Sequence, residues 1–221
     1  MNFKYKLAIF DLDGTILNTI DDLADAVNVA LSKNGMPTRT VAEVTSFVGN
    51  GIKRLIERAV PDGTEGEAIA RVHADFTAHY TLHCADKTAP YAGVPELLQQ
   101  LRASGVRTAV LSNKAHYAVR SLCATYFPTC FDAVAGEREA QGIPKKPAPD
   151  AVLAIMRELG VTAEQTVYIG DSDVDIETAR NAGIPAILVS FGFRSAAFLR
   201  AHGAETVVDT PQEIADLILQ P

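Results

Sequence analysis

The chain contains no tryptophan, only three cysteines and few aromatic residues, 7% in all. The cysteines, Cys84, Cys123 and Cys130, form no CxxC pair and, being odd in number, cannot all be joined to one another. That usage predicts reduced thiols in the cytosol. Long apolar runs are missing as well. The first one, Leu-Ala-Ile-Phe at 7–10, is followed at once by acids, unlike a signal peptide. Nothing approaches the roughly 20 apolar residues of a membrane-spanning helix. Positive charge is in deficit too: 20 Lys and Arg stand against 27 Asp and Glu, a net charge of −7 and a pI near 5.2. Nucleic acids and anionic membranes need a clustered cationic surface, so neither is expected as a partner. There is no GxxxxGK[ST], and Gly49-Asn50-Gly51 follows no strand, which excludes the usual Gly-rich nucleotide loops. These absences predict a soluble cytoplasmic protein, and a monomer or homodimer is expected.

What is present is ordinary globular composition, 48% hydrophobic and 21% charged over 221 residues. That length suits one generous domain, or a domain with a smaller one attached. Continuous apolar runs at 7–10, 108–111, 166–169 and 186–189, with weaker ones at 133–135 and 206–208, read as strands covered on both faces. Amphipathic helical patterns fall between them, at 94–103, 115–126, 149–159 and 173–182. Several close on a glycine, and Thr210-Pro211 opens a last helix. Strands alternating with helices predict an α/β doubly wound, Rossmann-like parallel sheet. The alternation breaks once. Residues 15–90 carry helical patterns only: 21–33, a capping pair Thr40 and Glu43, then 52–60 and 67–84. A stretch of that size is too long for a loop. The predicted organisation is therefore a catalytic core of 1–14 and 93–221, with an all-helical cap domain of 15–92 inserted.

In open α/β sheets, ligands bind at the carboxyl ends of the strands. Asp11-Leu12-Asp13-Gly14-Thr15 follows the first strand, Ser112-Asn113-Lys114 the second, and Gly170-Asp171-Ser172-Asp173-Val174-Asp175 the fourth. Lys145-Lys146-Pro147 precedes the helix that leads into the fourth strand. Asp11 and Asp13, at i and i+2, are expected on one side, where Asp171 would crowd a third carboxylate beside them. Such crowding asks for a cation, and carboxylate oxygens suit a hard one, Mg²⁺ where phosphate is also present. A helix-capping role accounts better for Asp173, which sits where a helix begins, but poorly for a pair of acids. Lys146 and Ser112 complete a phosphate site. Asn113 has two roles open to it, donor to phosphate or partner of the loop backbone.

These residues, Asp11-Leu12-Asp13-Gly14-Thr15, Ser112, Lys146-Pro147 and Gly170-Asp171 with Asp175, resemble in order and placement the four motifs of the haloacid dehalogenase-like hydrolase superfamily. Val48-Gly49-Asn50-Gly51, Leu55-Ile56-Glu57-Arg58-Ala59, Ser112-Asn113-Lys114 and Lys146-Pro147-Ala148-Pro149-Asp150 are similar to its phosphoglycolate phosphatase group. The resemblance implies a phosphatase of a small phosphorylated metabolite, with 2-phosphoglycolate the expected substrate. It implies Asp11 as nucleophile, Asp13 as general acid and base, and Ser112 and Lys146 on the phosphoryl oxygens. Mg²⁺ would be held by Asp11, Asp171 and the backbone carbonyl of Asp13. Asp175 would orient Lys146 or a metal-bound water. The cap loop Gly49-Asn50-Gly51 is expected to read the substrate, though it is equally a plain interhelical turn.

Competing readings are weaker. The acid at Asp13 speaks against dehalogenation, and neither Lys33 nor Lys53 has the context of a Schiff-base lysine. A receiver-type phosphoacceptor would need an aspartate near Gly136-Glu137, where there is none. A sugar-phosphate mutase, or a phosphatase of a sugar phosphate or pyrophosphate, remains within the same chemistry. His79 and His83, at i and i+4, read as a surface pair, and Phe191, Phe193 and Phe198 as packing.

Overall fold

The computed structural model describes residues 3–220, which form two compact units, 3–17 with 90–220, and 18–89. In chain order the elements are β1 (Leu7–Phe10), β2 (Leu17–Asn18), α1 (Ile20–Lys33), α2 (Val41–Phe47), α3 (Ile52–Ala59) and α4 (Gly66–His83). Then come β3 (Ala89–Pro90), α5 (Val94–Ala103), β4 (Arg107–Ala115), α6 (His116–Tyr126), β5 (Ala133–Glu137) and α7 (Asp150–Leu159). The chain ends with β6 (Thr166–Gly170), α8 (Asp173–Ala182), β7 (Ala186–Val189), α9 (Ala196–Ala201), β8 (Val207–Val208) and α10 (Pro211–Ile218).

The first unit is built on a six-stranded parallel sheet in the order β5-β4-β1-β6-β7-β8. All four residues of β1 are fully buried, as its unbroken apolar run requires of a central strand covered on both faces. Alternate residues serve opposite faces. Leu7, Ile9, Ala109, Leu111 and Tyr168 pack with Val152 and Ile155 of α7 and Ala179 of α8. The chain leaves β1 to build β4 and β5 on one side, then returns to lay β6, β7 and β8 on the other. β1 is thus the topological switch point, and the crevice outside its carboxyl end is where such sheets bind ligands.

The second unit is helical apart from Asn18 and Ala89 at its two ends, one residue each of the paired strands β2 and β3. Thr40 and Glu43 form the expected capping box at the start of α2, the Thr40 hydroxyl accepting from the Glu43 amide. Asp22 on α1, 2% exposed, accepts hydrogen bonds from the amides of Lys87 and Thr88 and from the Thr88 hydroxyl. This buried carboxylate pins the segment that leaves α4. Lys33 pairs with Asp75 at 2.8 Å, and His79 stacks on His83, which bonds Asp86. Lys33, His79 and His83 therefore behave as the surface groups that their sequence context suggests.

Candidate active site

β1 ends at Phe10, and the next residue, Asp11, places its carboxylate 3.0 Å from the ammonium of Lys146. Lys146 comes from the loop before α7 and is only 2% exposed in its side chain. Its ammonium also meets Asp175 at 2.7 Å and the Tyr168 hydroxyl at 3.1 Å. The backbone of Lys146 is fixed as well. The Asn113 side chain accepts from its amide at 2.8 Å and donates to its carbonyl at 3.0 Å. Asn113 thus makes the contact with the loop backbone that was one of its two expected roles.

Asp175 is wholly buried and heavily engaged. One oxygen holds Lys146, while the other accepts from the amides of Asp171 and Ser172 and from the Ser172 hydroxyl. Ser172, not Asp173, is the N-cap of α8, with Asp175 completing a capping box. The capping role expected of Asp173 is thereby corrected: it lies one residue inside the helix, where its charge suits the positive end. A side chain at position 170 would place its Cβ 2.3 Å from the Asp175 carboxyl carbon, so glycine ends β6.

Asp171, 2% exposed, accepts from the Thr15 hydroxyl at 3.1 Å and from the Phe193 amide at 2.7 Å. The expected packing role for Phe193 omitted this backbone contact. Gly14 (φ +83°) and Gly192 let the backbone close around this carboxylate. A Cβ at Gly14 would lie 2.3 Å from an Asp171 oxygen, and one at Gly192 would lie 2.4 Å from the Asp171 Cβ.

Asp11, Asp171 and Asp175 offer oxygens that all lie within 4.8 Å of one another, and all three residues are buried. Burial raises the Asp11 carboxyl to about 7, against the pull of Lys146 and with the help of Asp175 and Asp13. Burial, then Asp175 and Asp11, raises Asp171 well above the usual carboxylate range. For Lys146, burial alone would lower the ammonium, but Asp11 and Asp175 together push it well above its ordinary value.

Asp13 departs from the expected crowd of acids. Its carboxylate is absent from the triad and instead meets Lys114 at 2.8 Å. Lys114 is buried, a site residue that sequence reasoning did not assign a role. The four acids and two lysines leave two formal negative charges uncompensated, the charge of one divalent cation. The donor set, carboxylate oxygens with no soft ligand, fits a hard metal ion. Ser112, 3% exposed, lies on the same strand end and accepts from the Lys114 amide. Gly49, Asn50 and Gly51 belong to the helical unit, where they form the turn between α2 and α3 with Gly49 and Gly51 at positive φ.

A model of the haloacid dehalogenase-like hydrolases matches residues 8–189. The chain belongs to that family. Within the family it falls in the phosphoglycolate phosphatase-like group and is a hydrolase of phosphate monoesters. A phosphoglycolate phosphatase of Cereibacter sphaeroides is 34% identical over 218 residues, covering 96% of this chain and 98% of that one. The crystal structure of a Lactobacillus delbrueckii protein, a candidate phosphoglycolate phosphatase, superposes with a TM-score of 0.93 at 38% identity, over 99% and 100% of the two chains. The CbbY protein of Rhodobacter sphaeroides, solved in complex with phosphate, superposes with a TM-score of 0.74 at 25% identity, over 95% and 96%. Among the described residues Cys84, Cys123 and Cys130 form no disulfide, and burial pushes the Cys123 thiol up to about 12. No helix of the described residues is long and apolar enough to cross a membrane.

Proposed function

We propose that the chain is a Mg²⁺-dependent phosphatase that converts 2-phosphoglycolate to glycolate and phosphate through an aspartyl-phosphate on Asp11. The observation that carries this reading is the placement of Asp11. It stands at the carboxyl end of the switch-point strand, 3.0 Å from a buried lysine that a second carboxylate, Asp175, holds at 2.7 Å. A nucleophilic carboxylate must be rigidly presented, and its phosphorylated form needs a fixed cation beside it.

In the first half-reaction an Asp11 oxygen attacks phosphorus, the ester P–O bond breaks, and Asp13 gives its proton to the departing alkoxide. In the second, a water oxygen attacks the same phosphorus, its proton passes to Asp13, and the acyl-phosphate bond breaks to return Asp11. Ser112 and Lys146 hold the non-bridging oxygens, and Asp175 and Asn113 keep Lys146 in place. Asp11, Asp171 and the backbone carbonyl of Asp13 would hold Mg²⁺, which supplies charge neutralisation for the approaching phosphate. Asp175 serves the site as a positioning group, since its oxygens are already taken by Lys146, the two amides and Ser172.

We assign substrate choice to the loop Gly49-Asn50-Gly51 of the helical cap, whose backbone amides and the start of α3 suit a small carboxylate. Phosphate release from a panel of small phosphorylated metabolites, with and without Mg²⁺, tests the reading. Turnover of 2-phosphoglycolate that stops in Asp11→Asn and without the metal is expected. Isomer exchange that depends on a bisphosphate primer, with no net phosphate release, would assign a mutase instead. Asn50→Asp sets a negative charge in the loop. It should raise KM for 2-phosphoglycolate and leave KM for 4-nitrophenyl phosphate unchanged; equal effects would remove the loop from substrate recognition.

A further inference from the structure

Among the described residues of the sheet-built unit, the mechanism above leaves one buried charged group, Lys114, without a task. Lys114 lies near the end of β4, its side chain 3% exposed, with its ammonium 2.8 Å from a carboxylate oxygen of Asp13. An ammonium in so dry a place is costly unless it is paired, so a lysine here asks for a reason.

The backbone supplies part of that reason. The register between β4 and β5 shifts between Leu111 and Ala115. Such an irregularity re-aims side chains next to active sites. Regular alternation would send Ser112 and Lys114 to one face and Asn113 to the other. The three consecutive residues here meet three different parts of the site. The Ser112 hydroxyl accepts from the Lys114 amide, Asn113 clamps the backbone of Lys146, and the Lys114 side chain reaches Asp13. Two lysines therefore divide the two acids of the Asp11-Leu12-Asp13 segment between them. Lys146 faces Asp11, and Lys114 faces Asp13. The Asp13 carboxylate lies outside the cluster formed by Asp11, Asp171 and Asp175, on the side of Lys114.

We propose that Lys114 is the positioning residue for Asp13, holding its carboxylate away from the three clustered acids and aimed at the leaving-group oxygen. This rests on the reading of Asp13 as proton donor given above. A phosphate-binding lysine would act on every substrate alike, because every substrate carries the phosphate. A lysine that aims a proton donor acts most where the leaving group needs the proton.

The test compares kcat/KM, which reports the steps up to phosphoenzyme formation, for two substrates of the intact protein. 2-Phosphoglycolate leaves as a basic alkoxide, and 4-nitrophenyl phosphate as a stable phenolate. Lys114→Met keeps most of the stem without the charge and should lose about 10- to 100-fold on the alkyl ester and only a few-fold on the aryl ester. Lys114→Gln, which keeps a donor, should lose less than Lys114→Met on the alkyl ester, and it serves as the readout if the methionine variant does not fold. In an Asp13→Asn background, Lys114→Met should add little further loss, because both changes remove the same proton transfer.

Equal losses on the two esters, or full additivity with Asp13→Asn, would overturn the inference and make Lys114 a phosphate ligand or a structural ion pair. The two readings fail separately. If Asp13→Asn itself shows no preference between the esters, Asp13 is not the proton donor. If Asp13→Asn shows the preference and both Lys114 variants lack it, only the role of Lys114 falls.

Discussion

The Asp175→Asn variant probes how the acidic site is held together. Asparagine has nearly the shape of aspartate, so packing is preserved, but one oxygen becomes an amide donor. If that NH₂ faces Lys146, two donors meet at the 2.7 Å contact. If it turns the other way, it faces the amides of Asp171 and Ser172, 3.2 Å and 3.1 Å from the oxygen it replaces. Neither orientation satisfies the site. Leaving a buried lysine unpaired costs about 3–5 kcal/mol. Here Asp11 remains 3.0 Å from the ammonium, and one of three crowded carboxylates is gone. The net loss is then about 2–3 kcal/mol, that of one charge-assisted hydrogen bond. At about 2–4 °C per kcal/mol for a chain of this size, the melting midpoint should fall by roughly 4–12 °C. Phosphate release should fall about 10- to 100-fold through kcat, as for other groups that orient catalytic side chains. Thermal unfolding by circular dichroism and a steady-state phosphate assay read both numbers. A midpoint within about 1 °C of the parent with unchanged kcat would refute the view that Asp175 anchors Lys146.

Two further substitutions probe the backbone around Asp171 and the helical unit. Gly192→Ala would bring a Cβ to 2.3 Å from the Gly14 carbonyl oxygen and 2.4 Å from the Asp171 Cβ, neither of which can swing away. It should destabilise by about 1–3 kcal/mol and raise the Mg²⁺ concentration needed for half-maximal activity; parent-like values on both counts would contradict the close approach. In the helical unit, Asp22→Ala leaves the amides of Lys87 and Thr88 without their acceptor. A loss of about 2–4 kcal/mol in urea unfolding is expected, and a change below about 0.5 kcal/mol would show that Asp22 holds nothing.

Much of the sheet-built unit could be read along the chain because its strands are buried on both faces, which writes them as unbroken apolar runs. Leu7–Phe10 and Ala186–Val189 have the predicted bounds, and glycine stops mark the ends of α7 and α8. β4 was legible only to Leu111, because Ser112, Asn113 and Lys114 continue the strand as buried polar residues, against the apolar pattern. The six-residue helix α9 was too short to show a period. Among the site residues, those on the carboxyl edge of the sheet were found from topology and residue type. The Asp13–Lys114 pair was not, since it joins positions 101 residues apart and nothing local distinguishes Lys114 from a surface lysine. The same limit applies to the cap of α8: Ser172 and Asp173 are both good N-cap residues, and only the bonds from Ser172 to Asp175 decide between them.

In the proposed reaction Asp11 carries the phosphoryl group. Rapid acid quench of the protein during turnover of 2-phosphoglycolate, followed by peptide mass analysis, tests it most directly. A phosphorylated peptide containing Asp11 is expected, formed as fast as glycolate is released in the first turnover and absent from Asp11→Asn. Phosphate on another residue, or sustained turnover by Asp11→Asn, would contradict it.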